Sequence, residues 1–207
     1  MPNYVIELDG LRYVWTGSRW YQERDFVTPP IVILRRLDAL LPEDAAGAET
    51  IAPLRCPKSL RDTWPDPLAG EWLERYPQLF DADDYRCTPR QPTKHFWEWY
   101  AAIHLFEREG AYSLVEKYDC KNHPAKTALL ESILSESQLD YVNTIYYRHH
   151  AQVPDLFVYM PGTRRFWFAE VKGPTDDIRP NQAASHEAIE RDLGVPVEVL
   201  RFTLADY

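Results

Sequence analysis

Hydrophobic and polar positions alternate in short runs at the start of the chain. The stretch YVIELDGLRYVWTGSRWYQERDFVTPP reads as a small β-meander, because residues two apart share one face of a strand. Asp9-Gly10 between two β-rich runs is a strong hairpin signal, and Thr16-Gly17-Ser18 offers a second turn. Trp15, Trp20 and Tyr21 are expected to pack the face of this meander rather than await a partner. Pro29-Pro30 ends it. The pattern of IVILRRLDALL then predicts a helix closed by Pro42, and residues 43–58 a loop. A helix over Ser59–Tyr76 is interrupted by Pro65 and Pro67. The polar, proline-containing stretch 81–94 is the expected boundary. It separates an N-terminal β-hairpin and helical extension, residues 1–90, from a core of residues 91–207.

Longer periodic runs follow. HFWEWYAAIHLFEREG predicts a helix closed by Gly110, and AYSLVEKYD a strand. Pro124 opens the helix AKTALLESILSES, with Leu129, Leu130, Ile133 and Leu134 on an apolar face. Tyr141–Tyr147 is β-rich and reads as extended. LFVYM and FWFAEVK are two short apolar strands joined by Pro161-Gly162-Thr163. Pro180 opens a helix over NQAASHEAIERDL, closed by Gly194, and VPVEVLRFTL is a final strand. Helix, hairpin, helix and strand make a mixed α/β layered fold.

The hairpin places unusual chemistry at one end. Pro154-Asp155 begins its first strand and Glu170-Val171-Lys172 ends its second. Asp155 therefore faces Glu170, and Lys172 shares Glu170's face. Two carboxylates ~4 Å apart repel by roughly 4 kcal/mol at an effective dielectric of 20. A hard divalent cation between them removes that cost and takes their oxygens as ligands. A lysine alongside can orient or deprotonate a water and stabilise developing charge, and the metal can lower the water's pKa. This set suits phosphodiester hydrolysis. Taken alone, Glu-x-Lys is an ordinary solvated pair and Pro-Asp an ordinary turn; the combination carries the signal.

The 207 residues suffice for one large domain or a domain with an appended module. A net charge of -9 argues against a protein that coats nucleic acid unspecifically, so contacts would rest on local groups such as Arg35-Arg36, Arg148, Arg164-Arg165 and Arg179. No apolar run approaches the roughly 18–20 residues that span a bilayer. MPNYVIELDG lacks the form of a signal peptide, so a cytoplasmic setting and no membrane partner are expected. Cys56, Cys87 and Cys120 form no disulfide framework. Cys120, His123 and His149-His150 could build a structural zinc site, although scattered thiols and surface histidines are the commoner case.

VPDLFVYMPGTRRFWFAEVKGPTDDIRPNQ resembles the core of the VRR-NUC family within the PD-(D/E)xK nuclease superfamily. Pro154, Asp155, Leu156, Glu170, Val171, Lys172, Gly173, Pro174, Asp177 and Gln182 fall on its positions, and the resemblance covers residues 95–207. It implies a restriction-endonuclease-like core, a mixed central sheet flanked by helices. It implies that Asp155, Glu170 and the Val171 carbonyl bind Mg²⁺ or Mn²⁺, that Lys172 is the catalytic lysine, and that Gln182 supports the site or meets substrate. The superfamily often adds a Glu from an earlier helix; Glu98 in EWYAAIHLFEREG fits best, with Glu107 and Glu131 as competitors. Gln152 stands where the family often has Gly, and no Val-Arg-Arg run occurs. His149-His150, just upstream, could contact phosphate. The implied partner is DNA, with branched or flapped forms as candidates, in a repair or mobile-element and phage setting, and a homodimer is a further expectation. The alternative is a nucleic-acid or protein binding module that keeps the fold without turnover, using the N-terminal aromatic meander as its surface.

Overall fold

The computed structural model describes residues 4–15, 20–22, 33, 36–37, 53–90, 95–115, 118, 123–150 and 152–206. The chain divides into two compact units, Met1–Ala52 with Ile189–Pro196, and Pro53–Ala188 with Val197–Tyr207.

In the smaller unit, β1 (Tyr4–Leu8), β2 (Leu11–Trp15) and β3 (Trp20–Gln22) form an antiparallel sheet in that order. Asp9 and Gly10 both adopt positive φ, 54° and 77°, as a two-residue turn between twisted strands requires. Arg36 binds the Asp9 carboxylate at 2.5 Å. Tyr13 and Leu37 are buried, with Ile6, Leu8 and Ile33 against them. The expected turn at Thr16-Gly17-Ser18, the side chains of Trp15, Trp20 and Tyr21, and most of the helix expected after Pro30 lie outside the described residues.

The larger unit holds a five-stranded mixed sheet flanked by helices. It starts with β4 (Leu54–Pro57), α1 (Lys58–Asp62), α2 (Leu68–Arg75) and α3 (Ala82–Cys87). The break between α1 and α2 holds Pro65 and Pro67, as the sequence predicts. Next come α4 (Phe96–Glu109) and β5 (Tyr112–Leu114). They are followed by α5 (Pro124–Ile133) and α6 (Glu136–Arg148). The hairpin strands β6 (Leu156–Tyr159) and β7 (Phe166–Lys172), then α7 (Pro180–Leu193), of which Pro180–Ala188 belongs to this unit, and β8 (Val197–Ala205), complete it. The strand order is β4-β8-β7-β6-β5. β5, β6 and β7 are antiparallel neighbours, whereas β7, β8 and β4 run parallel.

Two expectations change. Tyr141–Tyr147 is not extended but lies within α6. Ser135 caps that helix and shares a reciprocal capping box with Gln138, and Tyr141, Val142 and Ile145 fall at helical spacing on its buried side. Three tyrosines, a valine and an isoleucine favoured a strand locally; the cap and the 3.6-residue spacing prevail. The stretch 81–94, expected as the domain boundary, holds α3. Asp81 caps it through the N–H groups of Asp83 and Asp84, and it sits in the same unit as the sheet. Residues 54–57 also belong there, since β4 pairs with β8.

One core cluster explains how α4 is set. Phe96, Trp99, Ala101, Ala102, Ile103 and Leu105 are buried with Leu156, Val158, Ala169, Val171, Leu200 and Phe202 of the sheet. Ala101 and Ala102 have no exposed surface; such small side chains allow close approach. Phe80 stacks on Trp99 with ring centroids 3.9 Å apart. β7 is buried along all seven residues, as a strand covered on both faces must be.

Candidate active site

The hairpin register pairs Leu156 with Ala169. One step further along that register Asp155 stands across from Glu170. The Asp155 carboxylate accepts the Val171 N–H at 2.7 Å, closing the strand pair beyond its last regular rung. Tyr118 donates its hydroxyl to the Pro154 carbonyl at 3.0 Å and fixes the approach to Asp155.

Glu170 is 1% exposed and Lys172 7% exposed, so neither charge is bathed by water and each needs partners. Lys172 Nζ lies 2.6 Å from Glu170 Oε1. Gln182, in the first turn of α7, donates Nε2 to the same oxygen at 2.7 Å. The Gln182 Oε1 accepts from Lys172 Nζ at 3.2 Å and from the Arg179 N–H at 3.1 Å. Strand end and helix start are thus tied by one carboxylate, one ammonium and one amide.

The two facing carboxyls are driven in opposite directions. Burial, then the charges of Glu170 and Glu98, push the Asp155 carboxyl well above the usual range, against the opposing pull of the Val171 N–H and Lys172. Burial also acts upward on Glu170, but His186 and Lys172 outweigh it and hold its carboxyl below the usual value. The charge of Glu98, on α4, is among those that raise Asp155. Glu107, its competitor, is exposed and accepts the Tyr76 hydroxyl at 2.6 Å. Glu131 is an exposed residue of α5.

The site therefore brings together Asp155, Glu170, Val171, Lys172 and Gln182 by direct contacts, with Glu98 acting on Asp155 through its charge. His186 was not anticipated. It is buried, with Nε2 3.3 Å from Glu170 Oε2. Its signal was present in the sequence, since it lies four residues after Gln182 and so one turn along the same helix face. Asp177, on a family position, is exposed and faces Arg201 at 3.6 Å. Gly173 ends β7 under close cover: a Cβ there would fall 2.6 Å from Trp97 Nε1.

Among the described residues, His123, His149 and His150 form no shared group of ligand atoms. Cys120 lies outside the described residues. His149 Nε2 pairs with the Tyr141 hydroxyl at 2.8 Å, and His150 is exposed. His123 caps α5 and faces Asp81 and Asp83 at 3.2 and 3.5 Å. Among the described residues this Asp81, Asp83 and His123 group brings three potential ligand atoms within 4.8 Å of one another. It is the weaker metal candidate, because His123 Nδ1 accepts from the Lys126 N–H. The neutral ring then carries its proton on Nε2, turned toward the two carboxylates.

Residues 113–203 match the family model described as the VRR-NUC domain. This segment is similar to a VRR-NUC domain. The family is one of PD-(D/E)xK-like nucleases, and its match spans β5 through β8 and contains Asp155, Glu170, Lys172 and Gln182. Glu98 lies outside it. A search of curated proteins and one of solved structures gave no match. The match suggests a nuclease-type function, which implies a nucleic-acid substrate. Among the described residues no helix is long and apolar enough to cross a membrane.

Proposed function

We propose that the chain is a Mg²⁺- or Mn²⁺-dependent nuclease that hydrolyses phosphodiester bonds in DNA, with flaps and junctions among its substrates. The observation that carries this reading is the convergence of Asp155, Glu170, Lys172 and Gln182 at paired strand ends inside the VRR-NUC match.

The donor set fits a hard divalent cation. Carboxylate oxygens of Asp155, Glu170 and Glu98, with the Val171 carbonyl, are the ligands such ions take. The upward push on Asp155 from Glu170 and Glu98 is repulsion that a cation relieves. When bound, the metal supplies Lewis-acid stabilisation of phosphoryl oxygens and acidifies a water.

The chain's own residues divide the remaining work. Asp155, fixed through the Val171 N–H, and Glu170, fixed through Gln182, present their oxygens from two strands. Lys172 leaves Glu170 to meet the attacking water or a phosphate oxygen, where a buried ammonium acts strongly. Gln182 keeps Lys172 and Glu170 in register through both ends of its amide. The protein incubated with Mn²⁺ and labelled single-stranded, duplex, flap and junction DNA tests this: cleavage lost in Lys172→Ala supports it, and intact substrates throughout refute it.

A further inference from the structure

We infer that His186 is a positioning residue for Glu170, holding the carboxylate oxygen opposite the one shared by Lys172 and Gln182. The inference rests on the metal-site reading above and assigns to α7 a second contribution besides Gln182.

The Glu170 carboxylate has two unlike sides. Oε1 receives both Lys172 Nζ and Gln182 Nε2. Oε2 is buried and makes no hydrogen bond within the described residues; His186 Nε2 faces it at 3.3 Å as an ion-pair contact. A carboxylate at 1% exposure cannot draw donors from solvent, and a charge left without them is costly. If Lys172 moves to a water or phosphate, Glu170 loses its nearest cation. His186 is then what remains on the far oxygen, with Gln182 on the near one. The carboxylate keeps its plane and its charge while the near side changes partners.

The placement on α7 makes this a single device. Gln182 and His186 are one helical turn apart and therefore project along one face. Ser185, between them in sequence, donates its hydroxyl to the Gln152 carbonyl, just before Pro154-Asp155. The helix thus donates to one oxygen of Glu170, sets an imidazole nitrogen 3.3 Å from the other, and holds the segment that delivers Asp155. Donors to a metal-binding carboxylate set its orientation, and their loss weakens metal affinity by about 10–100-fold.

The test uses the full chain, with Mn²⁺ alone as the probe in calorimetry and with thermal melts to verify folding. His186→Leu removes the N–H and keeps an apolar filler; His186→Gln retains an N–H of similar reach. The expected result is about 10-fold or greater weakening of Mn²⁺ binding in His186→Leu, with His186→Gln within about threefold of wild type. Should His186→Leu fail to fold, His186→Asn, whose amide is one bond shorter, takes its place with the same expectation. Imidazole ¹⁵N spectra of the metal-free protein give a second readout, in which Glu170→Gln shifts the His186 Nε2 resonance. Mn²⁺ binding as tight as wild type in the donor-less variant, or a His186 resonance indifferent to Glu170→Gln, overturns the inference alone. Absence of Mn²⁺ binding by the wild-type protein overturns the metal-site reading and this inference together.

Discussion

Val171 gives its N–H to the Asp155 carboxylate at 2.7 Å, from the position between Glu170 and Lys172. The central residue of the Glu-Val-Lys triplet thus has two tasks. Its side chain enters the core with Leu156 and Ala169, and its backbone sets the carboxylate on the opposing strand. Moving either strand by one residue would turn Glu170 and Lys172 onto the face that α4 packs, so core packing and site geometry enforce the same register.

Lys172→Ala should abolish cleavage, by about 10²-fold or more, without unfolding the protein. Gln182 and His186 remain to solvate Glu170. Circular dichroism with a cleavage time course checks both halves of the expectation.

Asp155→Asn should stabilise the metal-free protein at neutral pH by about 1–2 kcal/mol while eliminating activity. The folded pKa of Asp155 lies above its unfolded value. The stability it contributes is therefore complete below the unfolded pKa and is lost as pH rises through the raised one. The amide cannot ionise and its oxygen can still accept from Val171. Melts in chelator between pH 4 and 8 should show wild type losing stability where the variant does not. Saturating Mn²⁺, at about 100 times its dissociation constant, should return about 2.7 kcal/mol to wild type and far less to the variant.

Glu98→Gln and Glu107→Gln should separate the two candidates on α4. The charge of Glu98 reaches Asp155, so its loss should weaken Mn²⁺ binding about 10-fold or more. Glu107 binds Tyr76, so its loss should leave cleavage unchanged and cost about 1 kcal/mol of stability. Equal effects on metal binding would remove the assignment of Glu98.

Gly173→Ala should destabilise the protein by about 1–3 kcal/mol, because its Cβ meets the Trp97 indole. Combining it with Trp97→Ala should cost less than the sum of the single changes. Additive losses would show that Trp97 does not crowd this backbone.

The sequence made half of this site readable and hid the rest for identifiable reasons. Asp155, Glu170 and Lys172 follow from period-two alternation and a short hairpin, which convert spacing directly into proximity. Gln182 and Glu98 needed the family resemblance, since no local rule says where a helix docks on a sheet. His186 was legible as a helical neighbour of Gln182, but nothing local marks its contact with Glu170. In α6 the β-favouring tyrosines concealed a helix whose Ser135–Gln138 capping box was in plain view. The stretch 81–94 read as a domain boundary because it is polar and carries prolines; within it, Asp84 is buried against Lys126 at 2.6 Å.

The central claim is metal-dependent phosphodiester hydrolysis at Asp155, Glu170 and Lys172. The most direct measurement is cleavage of labelled single-stranded, duplex, flap and junction DNA by the purified chain, with Mg²⁺, Mn²⁺ or chelator, beside Lys172→Ala. The account predicts cleavage of at least one substrate that needs the metal and disappears in the variant. Cleavage that persists in chelator or in Lys172→Ala, or no cleavage of any substrate, would contradict it.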